Sequence, residues 1–295
     1  MPNHSTVTVI IPVYNGKTFL RDALQSVLMQ TYPPAQIVVI DDGSVDGSYE
    51  ILKAYGNRLG NQFTLLTHPN HQNRGLTQTY LLGLKNAYSE YIAFLEQDDY
   101  WRLDNLERKV AILDKYSQVG AVFSDVKPIT PIPSEEYLIQ KRKTGTLPSC
   151  QPLQLACRML FSNDILTMST MIMKREYLDA IIASSAYDSQ FDWVLFTQVA
   201  QRTLFYKIPE ELVNWRVHSL SYHHQTIIKQ NFFKYRLNKI KTRFYLFRLA
   251  FTVRDPNDKV QLLIWVMKRM LLWPFYQSHA LLRKTFKIIR SMSNQ

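Results

Sequence analysis

The chain has 295 residues, 46% of them hydrophobic, which is enough for a sizeable core and excludes a disordered polypeptide. Its formal charge of +11 is unevenly placed: from Thr226 onward there are 15 Lys and Arg against 2 acids, whereas the first 225 residues carry 20 against 22. A near-neutral body with a basic tail argues against nucleic acid running across the body and points to a surface onto which the tail docks.

Cys150 and Cys157 are the only cysteines, at a spacing that makes neither a disulfide framework nor a metal site, so both are expected to be small buried residues in a reducing compartment. VTVIIPV near the start is too short for a secretion signal and stops at Pro12, so no export is expected. The longest apolar approach, VQLLIWVMKRMLLWPFY (260–276), is broken by Lys268 and Arg269, which argues against a membrane span.

The predicted elements, in chain order, begin with strand VTVII (7–11), a helix over about 17–30, strand IVVI (37–40), a helix over about 46–55 and strand FTLLT (63–67). A helix over about 76–88, strand YIAFL (91–95), a helix over about 103–116 and strand GAVFS (120–124) follow. This alternation indicates a mostly parallel sheet covered on both faces, with ligands expected beyond the carboxyl ends of its strands. A proline- and charge-rich stretch over 125–150 reads as a linker before a second set of elements.

Polar clusters fall where such ligands bind. After the second strand, DDGSVDGS (41–48) admits two readings. One is a strand-to-helix turn, with Asp46 suited to cap the next helix; the other is a nucleotide site in which an aspartate accepts a pyrimidine N–H while Tyr14 stacks on the base. PVYNGKTF supplies only Gly16, so neither a G-x-G-x-x-G fingerprint nor a P-loop is present. A pyrophosphate here would have to be neutralised by a metal ion or basic side chains instead. FLEQDDYW (94–101) offers the metal: hard divalent cations take oxygen ligands, and Asp98 is the first choice, with Glu96 and Asp99 assisting. The alternative is a solvated acidic turn in which Asp99 or Asp104 caps the following helix.

Taken together, VIIPVYNG, IVVIDDGSVDGS, NRGLTQT and YIAFLEQDDYW resemble the inverting glycosyltransferases of family 2 over about the first 125 residues. The resemblance implies an α/β fold of GT-A type, a nucleotide-sugar donor and Mg²⁺ or Mn²⁺ at Asp98. It also implies nucleotide contacts from Pro12, Tyr14, Asp42, Arg74 and Gln97, with Arg74 readable equally as a plain surface arginine. Glu96 stands where the family usually has aspartate, and Tyr80 where a helix asparagine is common. QFDWVLFTQVAQR (190–202) is similar to the family's E-D-W helix, which makes Asp192 the implied general base, although Phe191 replaces the glutamate. Asp192 is readable as a helix cap too, and Asp188 is the nearest substitute. LVNWRVHSLSYHH (212–224) is similar to the aromatic-Arg-x-His loop that closes over the donor diphosphate, with Arg216 and His218 in the matching places. His223 and His224 beside it read as a solvated pair.

In the tail, Phe233, Leu237, Ile240, Phe244, Phe247 and Phe251 form one stripe of a basic amphipathic helix. Such a helix suits a membrane interface or the face of the catalytic body. The expected organisation is a catalytic domain over 1–225 and a basic, aromatic helical extension over 226–295. The expected setting is cytoplasmic, on the inner face of the membrane, with a glycan or lipid-linked acceptor in bacterial surface-polysaccharide assembly. Two other classes compete: a sugar nucleotidyltransferase, which ordinarily needs a basic glycine-rich loop absent here, and a non-enzymatic membrane-binding protein.

Overall fold

The computed structural model describes residues 5–129, 165–182 and 191–218, all within Met1–Leu246, one of two units into which the chain divides. The expectations for Cys150, Cys157, Asp188, His223, His224 and the basic tail lie outside the described residues. Among the described residues, no helix is long and apolar enough to cross a membrane.

Val7–Val13 (β1) is buried along its whole length, as expected of a strand covered on both faces. It pairs in parallel with Gln36–Asp41 (β2) on one side and Tyr91–Phe94 (β4) on the other, and β2 pairs in parallel with Phe63–Thr67 (β3). The strand Met171–Lys174 (β7) is antiparallel to β4 and to Val119–Ile129 (β6). Leu204–Arg216 (β8) runs parallel to β6, and Tyr100–Trp101 (β5) closes the edge antiparallel to β8. The resulting order is β3-β2-β1-β4-β7-β6-β8-β5.

Alternating strand residues feed two cores. Val7, Val9 and Ile11 pack with Leu24 and Val27 of Leu20–Leu28 (α1), Leu52 of Ser48–Leu59 (α2) and Val110 of Asn105–Lys115 (α4). Ile10, Val38 and Ile40 face Tyr80 and Leu84 of Leu76–Asn86 (α3), Leu178 of Glu176–Ile182 (α5) and Leu195 of Phe191–Ala200 (α6). Each such aliphatic side chain contributes about 1.5–3 kcal/mol by leaving water, so the sheet is held from both sides, as its apolar runs imply. Gly83 lets α3 approach closely: a Cβ there would lie 2.7 Å from Ile10 Cγ2 and 2.8 Å from Ile40 Cδ1. Thr8, buried between the strands, spends its hydroxyl on Gln36 at 2.9 Å and Ser89 at 2.8 Å, so no polar atom is stranded there.

Two expectations are corrected. The linker does not begin at residue 125, because β6 continues to Ile129, paired with β8 through Ile129↔Arg216. Pro128 is tolerated since β7 covers β6 only over Ala121–Phe123, leaving the outer stretch paired to β8. The residue before α2 is Gly47, in a left-handed conformation with φ of 94°. Asp46 sits one residue earlier and accepts from Ser48 N at 3.0 Å and from Lys17 N at 3.0 Å, tying the β1 exit to the α2 start.

Candidate active site

The turn after β4 places three carboxylates together: single ligand oxygens of Glu96, Asp98 and Asp99 lie within 4.8 Å of one another. Asp99 is fully buried and both of its oxygens are used. Oδ1 accepts from Arg216 N at 3.0 Å, while Oδ2 accepts from Ser169 Oγ at 2.6 Å and Thr167 Oγ1 at 3.3 Å. Glu96 accepts from Thr167 Oγ1 at 2.9 Å, and Asp98 meets His218 Nε2 at 3.1 Å. Burial pushes the Glu96 and Asp99 carboxyls up, and the Asp98 charge adds to the rise in each; donors from Thr167 and Ser169 oppose it only in part. Such crowding is relieved by a cation, and an all-oxygen set of two or three carboxylates suits Mg²⁺ or Mn²⁺. The residues present therefore fit a divalent ion, with Asp98 and Glu96 better placed than Asp99 to offer free lone pairs.

The β1 and β2 ends meet this turn. Gln97 accepts from Tyr14 N at 2.8 Å and donates to Tyr14 O at 2.9 Å, so its amide is spent on fixing the β1 exit against the acidic turn. Tyr14 itself is 48% exposed, with its ring open to a stacking partner. Pro12 stays within β1, opposite Ile40. Asp42 is buried and accepts from Arg74 N at 2.6 Å and Gly75 N at 3.0 Å, with His68 Nε2 3.6 Å away. It thus organises the 74–75 backbone and keeps only its remaining lone pairs for a ligand. The Arg74 side chain is exposed. Gly43, at φ of 78°, lets the β2 turn press against the 71–73 backbone, where any side chain would collide with the His71 carbonyl.

Asp192 lies in the first turn of the described part of α6, and the structure brings it toward the acids: its charge raises both the Glu96 carboxyl and the Tyr80 phenol. Tyr80 is fully buried, its hydroxyl has no partner among the described residues, and its ring stacks on Phe191 at 5.4 Å and 14°. Two of the three positions that depart from the family pattern, Tyr80 and Phe191, are thereby in contact with each other.

Arg216 ends β8 at the same place. Its guanidinium lies against the rings of Phe19 at 4.9 Å and Tyr100 at 4.7 Å, donates to Asp98 O at 3.3 Å and pairs with Asp22 at 2.5 Å. His218 leans on Phe19 with ring centroids 4.6 Å apart. Sequence reasoning missed Asp22, Phe19, Tyr100, Thr167 and Ser169. TMST (167–170) is a plain run of small and apolar residues, and no local pattern ties it to an acidic turn about 70 positions away. Trp101 Nε1 donates to Ser169 O at 2.8 Å, which locks that run beneath the carboxylates.

Comparison with known proteins bears on the fold and the family. The chain is 29% identical over 257 residues to an uncharacterised glycosyltransferase of Haemophilus influenzae, covering 81% of this chain and 77% of that one. It is 32% identical over 107 residues to the putative teichuronic acid biosynthesis glycosyltransferase TuaG of Bacillus subtilis, covering 36% and 41% respectively. It is 35% identical over 109 residues to an uncharacterised glycosyltransferase of Rickettsia typhi, covering 37% of this chain and 32% of that one. With 64% of a Rickettsia prowazekii relative covered as well, the chain spans less than two thirds of the rickettsial relatives it matches. Among solved structures, Staphylococcus aureus TarS 1–349 superposes with a TM-score of 0.65 at 19% identity over 90% of this chain and 71% of TarS. The Pyrobaculum calidifontis mannosyltransferase PcManGT gives 0.58 at 19% identity over 91% and 81%. These likenesses establish the GT-A architecture. The family description Glycosyl transferase family 2 matches residues 8–181, more than half of the sequence, and the chain belongs to that family.

Proposed function

We propose that the protein is an inverting glycosyltransferase that moves a sugar from a nucleotide-diphosphate donor, a UDP-sugar in the first instance, to a hydroxyl of a glycan or lipid-linked acceptor. The observation that carries this reading is the meeting of unlike charges at one strand end. Glu96, Asp98 and Asp99 lie beside Arg216 and His218, with the Asp192 charge felt from the other side.

In this reading Tyr14 stacks on the base, and Asp42 orders the backbone around it, with Pro12 and Gln97 fixing the β1 exit and Arg74 reaching a phosphate. A divalent ion held by Asp98, with Glu96 and Asp99 in support, would neutralise diphosphate charge. Arg216 and His218 meet the diphosphate as the bond from the anomeric carbon to its oxygen breaks. Asp192 takes the proton of the acceptor hydroxyl as that oxygen attacks from the opposite face, which inverts the configuration. The leaving nucleotide keeps the bonding electron pair, and Asp192 later returns its proton to solvent.

Solved relatives support the donor class: TarS has been crystallised with UDP and with UDP-GlcNAc, and PcManGT with GDP-Man and Mn²⁺. The teichuronic-acid name of TuaG supports a bacterial surface polysaccharide, of capsule or exopolysaccharide type, as the product class. The catalytic domain is then residues 1–225, and the basic 226–295 extension serves peripheral attachment to the inner face of the membrane. The test is transfer or hydrolysis of UDP- and GDP-sugars with Mn²⁺, followed by NMR of the anomeric product. An inverted product from the wild type and its loss in Asp192→Asn is expected; a retained configuration would refute the mechanism.

A further inference from the structure

The ion pair between Arg216 and Asp22 has no place in the chemistry above, yet it occupies a guanidinium that the reading above gives to the diphosphate. Three contacts already aim that guanidinium without help from Asp22. The rings of Phe19 and Tyr100 lie against it, with centroids 4.9 and 4.7 Å from Cζ, and Asp98 O accepts from Nη1 at 3.3 Å. The backbone is fixed as well, through Arg216 N to Asp99 Oδ1 at 3.0 Å. Asp22 binds the remaining Nη2 edge at 2.5 Å from the first turn of α1. Its side chain is 60% exposed against 17% for Arg216, so it reaches over an arginine that is otherwise tucked in.

We propose that Asp22 is an internal counter-anion that competes with the donor's diphosphate for Arg216, so that it loosens the bound nucleotide and hastens its departure after transfer. This rests on the donor-site reading given above. A carboxylate that merely oriented the arginine would be redundant with the two rings, whereas a negative charge on the phosphate-facing edge is not. A diphosphate carries more negative charge than one carboxylate and takes the arginine while the nucleotide is bound; once the nucleotide leaves, Asp22 recovers it. Asp22 is therefore a positioning residue, acting through Arg216.

The experiment is calorimetric binding of UDP and of GDP, each with Mn²⁺, to the full chain as wild type, Asp22→Asn, Arg216→Gln and the double variant. Asp22→Asn keeps an oxygen acceptor and removes only the charge. It should tighten the better nucleotide by roughly two- to fivefold, the range of an exposed ion pair, and slow its dissociation in stopped flow by a similar factor. The gain should vanish in the Arg216→Gln background, and the melting temperature should stay that of wild type. Unchanged or weaker binding in Asp22→Asn, or an equal gain without Arg216, overturns the proposal while leaving the donor site intact. Failure of the wild type to bind either nucleotide overturns the donor-site reading and this proposal with it.

Discussion

At the end of β2, the carboxylates of Asp41, Asp42 and Asp46 are spent on backbone N–H groups of Ser44, Arg74, Gly75, Lys17 and Ser48. Past β4, Glu96, Asp98 and Asp99 crowd within 4.8 Å of each other and share donors from Thr167, Ser169, Arg216 and His218. The residue types and their position after a buried strand are alike, but the physics is opposite. Backbone amides hold Asp42 and Asp46, which build a loop, while the buried Asp41 Oδ1 has no hydrogen-bond partner among the described residues. In the second set burial first, and the neighbouring carboxylate charges after it, push the Glu96 and Asp99 carboxyls up, and the donors present offset this only in part. Clustered acids after a strand thus signal ion chemistry only when the local donors fall short.

Experiments that break this contrast begin with the group outside both clusters. Asp192→Asn should lower kcat by roughly 10²–10⁴-fold, the usual contribution of a positioned base, while calorimetry shows nucleotide binding retained. Full activity in that variant would remove Asp192 from the chemistry. Next, Asp98→Asn should abolish Mn²⁺ binding and lower transfer on the order of 10²-fold, matching the level that the wild type reaches in EDTA. Metal binding that survives the change would mean that the acids past β4 are as structural as those past β2.

The loop-building set is tested through stability. Asp42→Ala strands the Arg74 and Gly75 amides and should cost about 2–3 kcal/mol in denaturant unfolding, even without any ligand. The smallest effect concerns a buried group that is dissatisfied without like charges around it. Lys109 is 1% exposed and, among the described residues, its amine has no partner; on the same face of α4 neither side-chain polar atom of Asn105 has one there either. Lys109→Met should stabilise the fold by about 1 kcal/mol. Burial holds the ammonium well below the ordinary lysine value of 10.5, so above that lowered value the unfolded chain binds the extra proton. Native stability should then rise with pH across the window up to 10.5. Thermal melts should show this rise in the wild type and a flatter line in Lys109→Met.

The first four strands were legible because each is a short, largely apolar run, β-branched in β1 and β2 and rich in leucine or aromatics in β3 and β4, buried whole or in part. GAVFS (120–124) marked the first half of β6 as well, whereas β5, β7 and β8 were not expected. LFYKIPEELVNWR carries Pro209, Glu210 and Glu211 in its middle and becomes β8 only through its long pairing with β6. At the site, the acids of 96–99 and the arginine and histidine near 216–218 declare themselves by residue type. Thr167, Ser169 and Asp22 do not, because a hydroxyl or a helix-face aspartate gains its role from what the fold sets opposite it.

The chain leaves the described sheet at Ile129, whose pairing partner is Arg216 and whose carbonyl accepts from Val217 N at 3.1 Å. It is described again from Ile165, two positions before the threonine that holds Glu96. Ile129 and Ile165 thus both stand next to residues that contact the acidic turn, Arg216 through strand pairing and Thr167 two positions on, so a side-chain change at either flank is felt by Glu96 and Asp99 with the registers of β6 and β7 unaltered.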